Sequence, residues 1–156
     1  MEDKRQLLRH TVAALAYRAA RALDGAPEGF AAFDGCGRQP IQILAHMGDL
    51  FDWALSAAQG NERWRTSTPL KWSEEKARFF NSLKAFDDYL ASCQPLHADA
   101  EPLFQGPIAD ALTHVGQISM MRRLASCPTR GENFFVAKVV VGQVGDDQPA
   151  PVRPFR

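Results

Sequence analysis

The sequence predicts an all-α protein, a four-helix bundle over residues 1–128 followed by a short extended or β-hairpin C-terminal arm over residues 129–156. Three observations predict it. Four stretches of about 20 residues repeat apolar side chains every three or four positions, the period of an amphipathic helix. Each stretch is bounded by glycine or proline, and the end of the chain abandons the helical period for β-branched residues. Four such helices bury their apolar stripes best against one another.

In the first helix Leu8, Val12, Leu15, Ala16, Ala19 and Leu23 fall on one stripe, and Arg18 and Arg21 lie away from it. Gly25 and Pro27 end it, and Glu28 to Gln39 is a loop with three glycines. Pro40 suits the first turn of a second helix, because its missing N–H would have no partner there anyway. Ile43, Met47, Leu50, Phe51, Ala54 and Ala58 make the second stripe, which closes at Gly60. The third helix opens at Ser73, whose hydroxyl can cap free amides, while Glu74 and Glu75 favour the positive end of the helix dipole. Phe79, Leu83, Phe86 and Leu90 run along it. Gly106-Pro107 announces a fourth helix with Ala111, Val115, Ile118, Met121 and Ala125 inward, stopped by Pro128. Phe134 to Gly145 is β-branched and too short for another bundle helix, hence an arm or hairpin that covers the bundle or pairs across a homodimer.

Composition narrows the function. At 156 residues the chain is one domain, large enough to fold without a metal. Eighteen basic residues balance eighteen acidic ones, which removes any broad attraction to nucleic acid or an anionic membrane. Cys36, Cys93 and Cys127 are odd in number and widely spaced, against a disulfide framework or thiolate zinc site and in favour of the cytoplasm. The alanine-rich run Thr11 to Ala16 is interrupted by Arg18 and Arg21 before it reaches the length of a signal or spanning segment.

Chemistry concentrates in Asp110 to Arg123, DALTHVGQISMMRR. Asp110 and His114 are four apart, neighbours one turn along a helix. With Asp110 at the origin of the wheel, His114 falls at about 40°, inside the sector of Ile118, Met121 and Ala125. A carboxylate aimed into apolar surroundings needs a cation, a proton or several donors. His46, at the shoulder of the second stripe, is a third member. Two imidazoles and one carboxylate on facing helices leave a divalent metal with open coordination positions, which implies chemistry or ligand exchange. Asp49 could hydrogen-bond a ligand imidazole, and Gln117 could touch a metal-bound water.

These residues carry a family likeness. PIQILAHMGDL (Pro40 to Leu50), followed some sixty residues later by ADALTHVGQISMMRRL (Ala109 to Leu124), resembles the DinB/YfiT-like metalloenzymes, over residues 1 to about 127. The resemblance implies a divalent ion such as zinc or nickel, held by His46 and His114, and the hard carboxylate of Asp110 adds manganese or iron to the candidates. In the family's commonest form the position of Asp110 is a histidine, and carboxylate versions occur among related thiol-dependent enzymes. It further implies a hydrolase or thiol transferase or isomerase that activates water or a low-molecular-weight thiol such as mycothiol or bacillithiol. The alternatives are a non-catalytic metal- or small-ligand-binding stress protein, and a metal-free relic acting through oligomerisation.

Blander roles compete for several of these residues. Asp110 would be an N-cap if the helix began later, leaving His114 a lone core histidine. Arg122 and Arg123 fit as complements to a helix C-terminus. Trp53, Trp64 and Trp72 could line a ligand pocket but are expected in packing, His10 and His97 at the surface, and Cys127 has no base near it in sequence.

Overall fold

The computed structural model describes residues 2–35 and 37–155, so Cys36 lies outside the described residues. The protein is all-α. Helices α1 (Glu2–Leu23), α2 (Pro40–Ala58) and α3 (Trp72–Ala91) are followed by a short α4 (Ala100–Leu103), which runs through a π-turn (Phe104–Ile108) into α5 (Ala109–Leu124). α2 packs against α3 and α5, and α1 against the same two helices, so the four long helices meet in a closed cycle of neighbours. No helix among the described residues is long and apolar enough to cross a membrane.

Local chemistry explains most boundaries. Pro40 does occupy the first turn of α2, and Gln42 Oε1 reaches back to accept the N–H of Gln39 at 2.9 Å. α3 begins one residue before Ser73, at Trp72, and Glu74 rather than the serine closes the start by accepting the Lys71 N–H at 3.2 Å. α5 ends in a reverse turn in which the N–H of Ser126 bonds to Arg123 O and that of Cys127 to Arg122 O, with Ser126 in the left-handed region at φ 58°.

The last helical stretch differs from the sequence expectation. Helical structure starts at Ala100, six residues before Gly106-Pro107, and Pro107 lies inside it. A proline in a helix removes one N–H and crowds the carbonyl four residues back. Widening the turn to the π form lets the chain pass the ring without breaking.

The stripes meet as their periodicity requires. Leu15, Met47, Phe51, Phe79, Leu83 and Phe86 are all fully buried. Phe51 lies between Phe79 and Phe86, with ring centroids 6.2 and 5.8 Å away. Removing each such side chain from water contributes about 1.5–3 kcal/mol.

Beyond Leu124 the chain forms neither a hairpin nor any strand among the described residues. One isolated antiparallel bridge, Glu132 to Pro154, and a 3-10 turn (Phe134–Val136) are its only regular features. Pro149, Pro151 and Pro154 lack the N–H groups a ladder needs, and Gly142 turns the backbone at φ 90°. The segment is nevertheless anchored on its own chain. Val144 enters the core at 3% exposure, and Glu132, 4% exposed, accepts from Tyr17 Oη at 2.7 Å and Arg21 Nε at 3.0 Å.

Candidate metal centre

His46 rides the middle of α2, between the buried Ala45 and Met47, and Asp110 and His114 lie on successive turns of α5, the helix that α2 packs against. The spacing of four on α5 and the contact between the two helices bring all three side chains to one point. Each offers one ligand atom, and these atoms lie within 4.8 Å of one another. His46 Nε2 is 3.3 Å from Asp110 Oδ2, and His114 Nε2 is 3.4 Å from Asp110 Oδ1. The two imidazoles meet edge to face, 4.9 Å between centroids.

Gln117 holds one of the two rings. Its Oε1 accepts the N–H of His114 Nδ1 at 2.8 Å, which leaves the lone pair of a neutral His114 on Nε2, facing Asp110 Oδ1. Two lone pairs at that separation repel unless a positive charge stands between them, either a proton or a metal ion. The separations bear on the choice. Charge-assisted N–H···O contacts usually close to about 2.7–2.9 Å. Donors that share a tetrahedral ion at about 2.0–2.1 Å stand roughly 3.3 Å apart; here His46 and His114 come to 3.3 and 3.4 Å from the two different oxygens of Asp110. The three side chains could therefore hold a metal ion, with Gln117 bracing His114.

The surroundings are graded. His114 is 7% exposed, whereas 43% of the Asp110 side chain remains open to solvent. On that open flank a groove of about 400 Å³ is lined by Leu50, Trp53, Gln105, Asp110 and Thr113. Trp64 stands 5.6 Å from the His46 ring and 6.0 Å from Trp53, so two indoles wall the site. A second hollow of about 560 Å³ lies past Gln117, bounded by Arg38, Ile43 and Met120.

Two expected roles differ in the structure. Asp49 turns away from both imidazoles, accepting the Ser67 N–H at 2.9 Å, with Oδ1 3.1 Å from Arg78 Nη2 but outside hydrogen-bond geometry. Asp110 is not an N-cap, because helical structure precedes it from Ala100. Arg122 does complement a helix end, but the end is mostly that of α1. At 5% exposure it donates to Ala22, Asp24 and Gly25 carbonyls as well as to Cys127 O.

The sequence concealed Arg78, and it offered Trp64 only as one of three tryptophans that could line a pocket. Arg78 Nη2 donates to Ala45 O at 2.7 Å, in the α2 turn that carries His46, and its Nε bonds to the fully buried Glu75 at 2.9 Å. Burial opposes the guanidinium's charge, yet Glu75, Asp49 and Asp52 outweigh it and raise its pKa above the ordinary arginine value. The guanidinium fits because residue 48 is glycine. A Cβ there would stand 2.8 Å from Arg78 Cζ and Nη2. Asp49 and Glu75 also accept the Ser67 and Leu70 N–H groups, so the same cluster pins the irregular segment that presents Trp64. No periodicity announces either residue.

Fold and site together define an all-α protein with a three-donor cluster, on two helices, that could hold a metal ion. No family model, curated protein or solved structure matches the chain.

Proposed function

We propose that the protein is a metal-dependent enzyme, a four-helix bundle of the DinB/YfiT-like kind whose His46, Asp110 and His114 hold one divalent ion, zinc or nickel before manganese or iron. The observation that carries the proposal is the convergence of three donors whose ligand atoms lie within 4.8 Å of one another, with His114 Nδ1 already paired with Gln117 and one flank open. An ion held there supplies Lewis acidity, which makes a water or thiol nucleophilic near neutral pH. The protein's own contributions are positional. Gln117 holds the His114 ring with Nε2 toward the site, and Arg78 and Gly48 lock the α2 turn that presents His46. Trp53 and Trp64 restrict water on one side, leaving the groove beside Asp110 and Thr113 for the organic part of a substrate. Hydrolysis and thiol transfer or isomerisation are the reaction classes this arrangement serves, and the reducing cytoplasm would keep a thiol cofactor available.

Elemental analysis of protein purified without chelators or a metal-affinity tag tests the site. About one equivalent of metal is expected, and a folded His114→Ala variant should carry none. Metal at equal occupancy in that variant, or none in the natural protein even after added zinc or nickel, would sink the proposal. With metal bound, activity screens using thiols and electrophilic substrates separate transferase from hydrolase. Stoichiometric metal with no turnover in either screen would favour a binding protein.

A further inference from the structure

On the face of α5 turned toward α1, opposite the metal-competent cluster, a cavity of about 550 Å³ opens between α1, α5 and the segment from Thr129 to Phe134. Four arginines from three parts of the chain line it. Arg18 and Arg21 come from α1, Arg123 from the end of α5 and Arg130 from the C-terminal segment, and no acidic residue shares the lining. In a chain with eighteen basic and eighteen acidic residues, that concentration does not follow from composition.

The four arginines are not equivalent. Arg21 is committed to the fold, donating to Glu132, Tyr17 Oη and the Pro149 carbonyl. Glu132 sits behind the wall and offsets that charge alone. Arg18 lies over the Phe134 ring at 3.9 Å from its centroid, which holds its guanidinium at the cavity wall. Arg130 Nε donates to Phe155 O at 2.8 Å, which fixes its stem. Among the described residues no carboxylate lies within ion-pair reach of Arg18, Arg123 or Arg130, although lone surface cations commonly find one. Leu112 and Phe134 supply apolar surface beside the charges.

We propose that this cavity is a binding site for a small organic phosphate. Guanidinium groups bind phosphate oxygens in pairs of parallel hydrogen bonds, and three around a single cavity, with no carboxylate partner among the described residues, suit a dianion better than a monocarboxylate. The volume falls in the range of about 300–1,000 Å³ usual for small-molecule sites. The apolar wall at Leu112 and Phe134 would take the ligand's organic body. This site is independent of the metal-dependent reading, since it uses none of His46, Asp110, His114 or Gln117.

The test is isothermal titration calorimetry of the full chain at low salt, with phenyl phosphate, inorganic phosphate, benzoate and a short DNA duplex as probes. Phenyl phosphate should bind more tightly than the other three, and weaken as salt screens the arginines. Arg123→Gln combined with Arg130→Gln should cost at least about tenfold in its affinity. If the pair disturbs folding, the single Arg123→Gln at an exposed helical position should still weaken binding. His114→Ala should leave it unchanged, so failure here and failure of the metal site register separately. The proposal is overturned if phenyl phosphate gives no binding heat up to about 10 mM. It is equally overturned if the arginine variants keep full affinity, or if benzoate or DNA binds as tightly as phenyl phosphate.

Discussion

Gln117→Leu separates a braced metal ligand from a histidine that merely packs. The substitution keeps the size of the side chain and deletes the oxygen that accepts from His114 Nδ1 at 2.8 Å. A hydrogen bond to a group that becomes positively polarised contributes about 1.5–3 kcal/mol, and each 1.4 kcal/mol is a factor of ten. Metal affinity should therefore fall about 10- to 100-fold, which agrees with the usual effect of removing a partner behind a ligand. Competition titration of zinc and of nickel against a chromophoric chelator measures it. Gln117 is exposed, so urea unfolding of the metal-free variant should match the natural protein within about 0.5 kcal/mol. Unchanged metal affinity in a folded variant would refute the reasoning. A destabilised metal-free protein would also do so, because the bond would then belong to the fold.

Other outcomes follow from the remaining polar clusters. Arg78→Met strands Glu75 and Asp49, 0% and 3% exposed, without their cation. Breaking a buried pair in this way costs about 3–5 kcal/mol, which for a chain of this size lowers the melting temperature by roughly 10 °C. Adding Asp49→Asn and Glu75→Gln to that variant should restore more than half of the loss in denaturant titrations, and no recovery would mean that packing rather than charge is responsible. Tyr17 predicts the alkaline limit. Burial first, then its hydrogen bond to Glu132, raise the phenol's pKa, with Arg21 opposing. The folded protein thus keeps a proton that the unfolded chain releases at about pH 10, so this contribution to stability is complete below that pH and is lost as pH rises through the folded value. Unfolding free energy measured across that interval should decline less steeply in Tyr17→Phe.

Legibility in the sequence tracked locality. α1, α2 and α3 were readable because every turn repeats the same face, as in Leu8, Val12 and Leu15 or Phe79, Leu83 and Phe86. The pairing of Asp110 with His114 was readable for the same reason, four residues being one turn. Pro107 misled because a proline inside a helix looks from sequence like a proline at its start, and only the helix on both sides reveals the π-turn. Asp49 was assigned to His46 by nearness along α2, yet its partners Ser67 and Arg78 lie 18 and 29 positions away and are brought close by the α2–α3 packing. Trp64 sits in an irregular segment whose course is set by those contacts. The β-branched run from Phe134 to Gly145 has the residue preference of a hairpin, but a strand needs a partner to pair with, and what this run meets is the bundle, where Val144 is buried.

Positions 48 and 78 occupy a single volume between α2 and α3. Whatever fills one must be absent from the other, although thirty residues separate them along the chain. Their tolerance of change is joint: a methyl group is admissible at 48 only when residue 78 is short, and a short residue at 78 is comfortable only once the acids around it have lost their charge. Sequence drift at this spot must cross several coordinated replacements, and so the glycine should persist wherever the arginine does.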